Sequence, residues 1–247
     1  MAAISYQLYC SRKFPPLDGT LAMLAAVGYR DVEGFGGLYD DPAAFKAALD
    51  KAGLAMPTGH FGLSQIEGER DKMLAMARAL NMQALIVPHV GPPDRPTNAA
   101  GWETFAARLS EAGKPFRDAG FAFGWHNHDF EFTPTDDGRT PQEIIAAADG
   151  VSLELDIGWV VRAGQDPVAW INRFGAKIIA AHIKDIAPFG QATDEDGWAD
   201  VGHGTVDWGP IVAALGAIGC NRFVIEHDNP KDDKRFATRS LATIQGW

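Results

Sequence analysis

A single-domain (β/α)8 barrel, an α/β fold covering residues 1–247, is what this sequence predicts. The prediction rests on a recurring grammar. A helix-period stretch closes at Gly or Asn, a short apolar run follows, and a polar loop comes after it. Eight such apolar runs occur, seven of them preceded by a helical stretch, which suits a fold of eight units and roughly 250 residues. The runs are nearly continuous rather than alternating, as expected of parallel strands covered on both faces.

The first run is AISYQLYC. The next seven follow the junctions AAVGYRDVEGF, KAGLAMPTGHF, ALNMQALIVPHV, DAGFAFGWHNH, ADGVSLELD, GAKIIAAHIKD and AIGCNRFVIEHD. Gly28, Gly53, Asn81, Gly120, Gly150, Gly175 and Gly219 stand where a helix C-cap needs a left-handed residue. Between the runs the helices are amphipathic. Trp102, Phe105, Leu109, Ala112 and Phe116 recur at spacings of three and four with charged residues between them, and 66–80 and 210–218 read similarly. An open doubly wound sheet is the rival, but it usually needs fewer strands and often carries a glycine-rich phosphate fingerprint, which is not found here.

With 46% hydrophobic residues and no linker or low-complexity stretch, the chain can bury one large core. Its formal charge of −10, without a basic run, argues against nucleic acid as a partner. No segment reads as a membrane span, and the start MAAISYQLYCSRKF lacks the apolar stretch of a signal peptide. Cys10 and Cys220 form no CxxC, so a reduced, cytoplasmic protein with two small buried cysteines is expected.

Barrel strands converge at their carboxyl ends, so residues remote in sequence become neighbours there. Asp156, His182 and Glu226 end strands six, seven and eight. Two anionic oxygens and an imidazole suit one divalent ion such as Mn2+, Co2+, Zn2+ or Mg2+. Strand five offers two choices for a fourth ligand. Glu131 makes the set oxygen-rich and is preferred, with His126 and His128 then acting as acid–base groups or substrate contacts. His126 is the alternative, lying at the strand end as Asp156 does in its own strand. Each of these residues alone has a bland reading, since a strand-end carboxylate often caps the next helix. Four in succession point to a site.

Glu33, His60 and His89 end strands two, three and four and could line the opposite wall as substrate contacts. Lys184 follows His182 by two, on the same side of the strand, and reads as a substrate contact or ion-pair partner. Of Trp125, Trp159, Trp198 and Trp208, Trp159 is the first choice to stack on a sugar face. The long polar stretch 190–207 reads as a lid over the end of strand seven, with His203 a contributor to substrate binding.

At this point the chain resembles the sugar phosphate isomerase/epimerase-like proteins of the xylose isomerase-like barrel superfamily. The resemblance spans nearly the whole chain through GYRDVEGFG, WHNHDFEF, LELDIGWVVRAGQDP, AHIKD, GHGTVDW and VIEHD. It implies a divalent cation held by carboxylate and histidine ligands of strands five to eight, onto which Asp156, His182 and Glu226 map well. It also implies a small sugar or sugar-derived substrate and an enediolate formed by proton removal α to a carbonyl, with Glu226 as acid–base partner as well as ligand. Isomerisation or epimerisation is the expected outcome, and elimination from a keto-inositol or 3-keto-glycoside is the alternative. Two positions depart from the pattern: His126 stands where many members carry Glu, and Trp159 where many carry His. Barrels of this type often form homodimers, but no residue here demands one.

Overall fold

The computed structural model describes residues 2–247. Eight parallel strands close the barrel: β1 (Ala3–Gln7), β2 (Asp31–Gly34), β3 (Ala55–His60), β4 (Ala84–Val87), β5 (Ala122–His126), β6 (Ser152–Asp156), β7 (Ile178–Ile183) and β10 (Arg222–Ile225). Around the ring they run β1-β10-β7-β6-β5-β4-β3-β2. Two short strands, β8 (Asp185–Ile186) and β9 (Trp198–Ala199), form a separate antiparallel pair. The helices are α1 (Leu17–Val27), α2 (Pro42–Ala52), α3 (Leu63–Gly68), α4 (Arg70–Ala79), α5 (Ala99–Asp118), α6 (Pro141–Ala147), α7 (Ile157–Arg162), α8 (Pro167–Phe174), α9 (Trp208–Ala217) and α10 (Asp233–Gln245). Among the described residues, no helix is long and apolar enough to cross a membrane.

The eight strands fall on the eight runs expected from the sequence. Most of the expected caps do too: Gly53 follows α2 at φ 69° and Asn81 follows α4 at φ 53°. Gly175 does not, because at φ −49° it opens a 3-10 turn. Its need is space, since a Cβ there would lie 2.6 Å from Ile218. The stretch 66–80 is likewise not one helix; the backbone leaves helical geometry at Glu69 (φ −126°, ψ 33°), separating α3 from α4.

The main core lies between barrel and helices. Phe105, Leu109 and Phe116 of α5 are buried, with Phe116 stacked on Phe123 and Phe105 meeting Trp125 edge-on. Full burial of such a side chain contributes roughly 1.5–3 kcal/mol. Inside the barrel the usual aliphatic filling gives way to polar residues. Gln7, Glu33, Thr58, His126, Glu154, Asp156 and His182 are all buried there. The pairings Gln7↔Glu33, Glu33↔Thr58, His126↔Glu154 and Asp156↔His182 place them side by side. A register shift between Leu153 and Glu154 lies directly before this group, a position where bulges commonly re-aim side chains.

Candidate functional site

Each ligand candidate is delivered by a strand end. His126 closes β5, Asp156 closes β6, His182 sits in β7, and Glu226 follows β10. The four offer ligand atoms within 4.8 Å of one another, and all four are buried. His182 Nδ1 lies 2.9 Å from Glu226 Oε2, and His126 Nε2 lies 3.7 Å from Asp156 Oδ2. Asp156 fills two roles at once. Its Oδ1 accepts from the Trp159 N–H at 2.9 Å and caps α7, while Oδ2 has no hydrogen-bond partner. Burial, partly offset by Lys184, pushes the Asp156 carboxyl up to about 6.

Beside this group stands Lys184, fully buried, its Nζ 2.9 Å from Glu226, 2.9 Å from Asp228 and 3.3 Å from Asp156. Burial opposes its charge, but the Asp156, Asp228 and Glu226 carboxylates outweigh burial and keep the ammonium protonated. It is an ion-pair partner inside the site rather than part of the cavity wall.

A second layer lies beneath. Glu154 Oε2 reaches His60 Nε2 at 2.7 Å and His182 Nε2 at 3.1 Å; Glu33 Oε1 reaches the same two nitrogens at 3.2 and 2.8 Å. Burial works against the His60 cation, yet Glu33 and Glu154 push its value up to about 10. His182 is raised well above the ordinary histidine range in the same way, against burial, by Glu154, Glu226 and Glu33. For Glu226 burial is outweighed by Lys184 and His182, so its carboxyl is held well below its usual range. His126 and His128 go the other way: burial first, then neighbouring charge, lowers both well below the ordinary value and leaves neutral imidazoles.

Above this group lies a cavity of about 460 Å3 at the barrel mouth, lined by His60, His89, His126, His128, Glu226 and Asp228 on its polar side. Tyr9, Arg12, Phe35, Gly36, Gly62 and Pro88 supply the rest of the wall. Cation chemistry fits the donor set. Four buried carboxyl groups (Glu33, Glu154, Asp156 and Glu226) surround His60, His182 and Lys184, and buried oxygens of Asp156, Glu154 and Glu33 lack hydrogen-bond partners. Buried carboxyl oxygens without donors, next to imidazole nitrogens, are consistent with a divalent metal site.

The structure separates the other sequence candidates. His60 and His89 lie on the cavity wall, whereas Glu33 is fully buried beneath His182 and is a hydrogen-bond partner rather than a wall residue. Glu131, the preferred fourth ligand in the sequence, is turned away from both groups of ligand atoms. Its carboxyl accepts from Trp125 Nε1 at 3.1 Å and from the His128 N–H at 2.9 Å, fastening the loop after β5 to the outer layer. His126 occupies the place instead. Trp159 is not on the cavity wall; it packs edge-on against Trp198 and near His128. His203 is exposed and outside the cavity. Its stretch is pinned by the fully buried Asp185, whose carboxylate accepts from the Gly202, Gly204 and Val206 N–H groups and from Trp208 Nε1.

Sequence reasoning missed Glu154 and Asp228, although each lies two residues from a chosen residue on an alternating strand or its extension, which is a usable signal. Tyr9, Arg12 and Phe35 sit in or beside the loops after β1 and β2 and carry no such signal.

Comparisons with known proteins agree with this geometry. Over 190 residues, 69% of this chain and 58% of the relative, the chain is 25% identical to the rhizopine catabolism protein MocC of Rhizobium meliloti. It is 28% identical to an inosose dehydratase of Lacticaseibacillus casei over 138 residues, 50% of this chain and 46% of the relative. The chain thus spans about half the length of the curated relatives it matches. Among solved structures, a sugar phosphate isomerase/epimerase from Parabacteroides distasonis ATCC 8503 superposes with a TM-score of 0.82 at 22% identity, over 99% of this chain and 94% of that one. The zinc-binding IOLI protein gives 0.79 at 16% identity, over 100% and 97%. The sequence profile described as Xylose isomerase-like TIM barrel matches residues 21–245, from within α1 through α10, and so takes in the strand ends that carry His126, Asp156, His182 and Glu226. With closed barrel, buried His/Glu group and profile in agreement, this chain belongs to the xylose isomerase-like TIM barrel family.

Proposed function

We propose that this chain is a divalent-metal-dependent enzyme that removes the proton α to a carbonyl of a small sugar or sugar-derived substrate and returns it as an isomerisation or epimerisation. One observation carries the reading: the ligand atoms of His126, Asp156, His182 and Glu226 converge, and His126 and Glu226 bring that group to the wall of a cavity large enough for such a molecule. These four residues would hold the ion. When bound, it would act as a Lewis acid toward the substrate oxygens and stabilise the enediolate charge.

The remaining chemistry belongs to the chain. His128 lines the cavity as a neutral imidazole and is the group proposed to accept the α-proton. Glu226, ionised and on the same cavity wall, is the second group able to hold a proton. The Tyr9, Phe35 and Pro88 side of the wall gives an apolar surface for the face of a sugar ring and limits water access.

A second reading, elimination of a group β to the carbonyl of a keto-inositol or 3-keto-glycoside, is favoured by one observation: relatives matching this chain are named inosose dehydratases.

Metal analysis of protein purified without chelator tests the first step. One ion per chain is expected, with marked loss in Glu226→Gln and His182→Ala; a metal-free parent that takes up no added ion refutes the proposal. Incubation with ketoses, keto-inositols and 3-keto-glycosides in D2O separates the outcomes. Deuterium α to the carbonyl without fragmentation supports isomerisation or epimerisation. Loss of water or of an aglycone supports elimination.

A further inference from the structure

We infer that Glu154, assisted by Glu33, is a positioning residue of the cation site: it holds the inward-facing nitrogens of His182 and His60 and so fixes which nitrogen His182 turns to the ion. The inference rests on the cation reading above and concerns how this chain prepares the site.

Two sets of ligand atoms overlap in the barrel. One is His126, Asp156, His182 and Glu226; the other is His60, His126, Glu154 and His182. Both contain His126 and His182, and each of these rings turns one nitrogen toward each set. His182 directs Nδ1 at Glu226 (2.9 Å) and Nε2 at Glu33 (2.8 Å) and Glu154 (3.1 Å). His126 directs Nε2 toward Asp156 (3.7 Å) and Nδ1 toward Glu154 (3.4 Å). An imidazole that gives the lone pair of one nitrogen to an ion is neutral and keeps its hydrogen on the other nitrogen, which can then donate to a carboxylate. The two sets therefore cannot both be ion sites unless each shared ring bridges two cations.

Both sets reach the cavity, one through His126 and Glu226 and the other through His60 and His126, so the carboxylates decide between them. Glu226 lines the cavity, so an ion held by it can meet a substrate, whereas Glu154 and Glu33 are fully buried below the wall. The lower set is then the support of the upper one. Histidine ligands generally donate their second ring N–H to a carboxylate, which fixes the tautomer and the ring orientation. Glu154 does this for more than one ring, because its Oε2 also lies 2.7 Å from His60 Nε2. The His60 and His182 rings are stacked, with centroids 5.4 Å apart and planes 12° from parallel. Gln7 Nε2 donates to Glu33 Oε1 at 2.8 Å and keeps that carboxylate in place.

The test is Glu154→Gln, which keeps the side chain's size and one acceptor oxygen but removes the charge. Metal-stripped parent and variant are titrated with Zn2+ against a chromophoric chelator, and the visible absorption of their Co2+ forms is recorded. Thermal unfolding of the stripped proteins checks that both are folded. Expected are one ion per chain in both, roughly 10–100-fold weaker binding in Glu154→Gln, and a changed Co2+ spectrum. Glu33→Gln should move binding the same way, and Glu131→Gln, a buried carboxyl outside both sets, should bind as the parent does. Where Glu154→Gln does not fold, Glu33→Gln carries the test. Equal affinity with an unchanged spectrum overturns the inference alone. Two ions in the parent and one in Glu154→Gln also overturn it, by making Glu154 a ligand. A parent that binds no ion overturns the cation reading, and this inference with it.

Discussion

Asp156 and Asp185 are both fully buried aspartates at the carboxyl end of the barrel, yet they live in opposite circumstances. Asp185, just past β7, is saturated. It accepts from four backbone N–H groups, those of Ile186, Gly202, Gly204 and Val206, and from the Trp208 indole. Asp156, at the end of β6, spends one oxygen on the Trp159 N–H and keeps the other free of hydrogen bonds, beside Lys184 and facing His126. Burial is the same and satisfaction differs. A carboxylate whose donors are all supplied by the fold is a fastener; one left short of donors, with other ligand atoms around it, is available for chemistry.

The largest effect that would sharpen this contrast is on stability. Asp185→Ala strands several buried donors at once and should destabilise the fold by roughly 3–5 kcal/mol, read from denaturant unfolding of metal-free protein. Loss below about 1 kcal/mol would remove Asp185 from the fastener class.

Glu131 is the fastener nearest the site and supplies the next effect, through pH. Burial pushes its carboxyl up to about 8 from the ordinary 4.5, although the N–H groups of His128 and Trp125 work to lower it. A value raised in the folded state means that its contribution is fully present below about pH 4.5 and is lost as the pH rises through about 8. Between pH 5 and pH 8.5 the parent should therefore lose of order 2–4 kcal/mol relative to Glu131→Gln, measured as the difference between the two unfolding curves. Parallel curves would show that Glu131 is ionised in the folded protein.

Asp156→Asn addresses the other side of the comparison. Its amide oxygen can still cap α7, so stability should change by less than about 1 kcal/mol. Ion affinity should fall at least roughly 10-fold in chelator competition, which is about 1.4 kcal/mol. The reverse pattern, a large stability loss with unchanged affinity, would make Asp156 a cap and nothing more. The smallest effect belongs to His203→Ala. This side chain is exposed and outside the cavity, so ion affinity and stability should both stay within about 0.5 kcal/mol of the parent.

The barrel was legible because its signal is repeated. Gly53, Asn81 and their counterparts punctuate strand after strand, and a repeated pattern survives single exceptions such as Gly175, whose glycine answers to Ile218 rather than to a left-handed turn. The convergence of Asp156, His182 and Glu226 was legible because they lie at or beside the carboxyl ends of neighbouring strands. Glu131 misled because its charge suits a metal, while the direction in which its loop turns is set by the Trp125 indole, a contact between side chains that spacing does not encode. His203 misled for a similar reason: its loop is organised by Asp185, and composition alone reads a held loop as a free one. Glu154 was within reach, two residues before Asp156 and on the same face of β6, but a charge in the middle of an apolar strand invites the assumption that it faces outward.

The most direct measurement is an anomalous difference map from a crystal of this protein soaked in Zn2+ or Mn2+, recorded at the absorption edge of the ion. The account predicts one peak per chain on the cavity floor, about 2.0–2.3 Å from nitrogens of His126 and His182 and carboxylate oxygens of Asp156 and Glu226. A peak bound to Glu131, or a fully soaked crystal with no peak among those four residues, would contradict it.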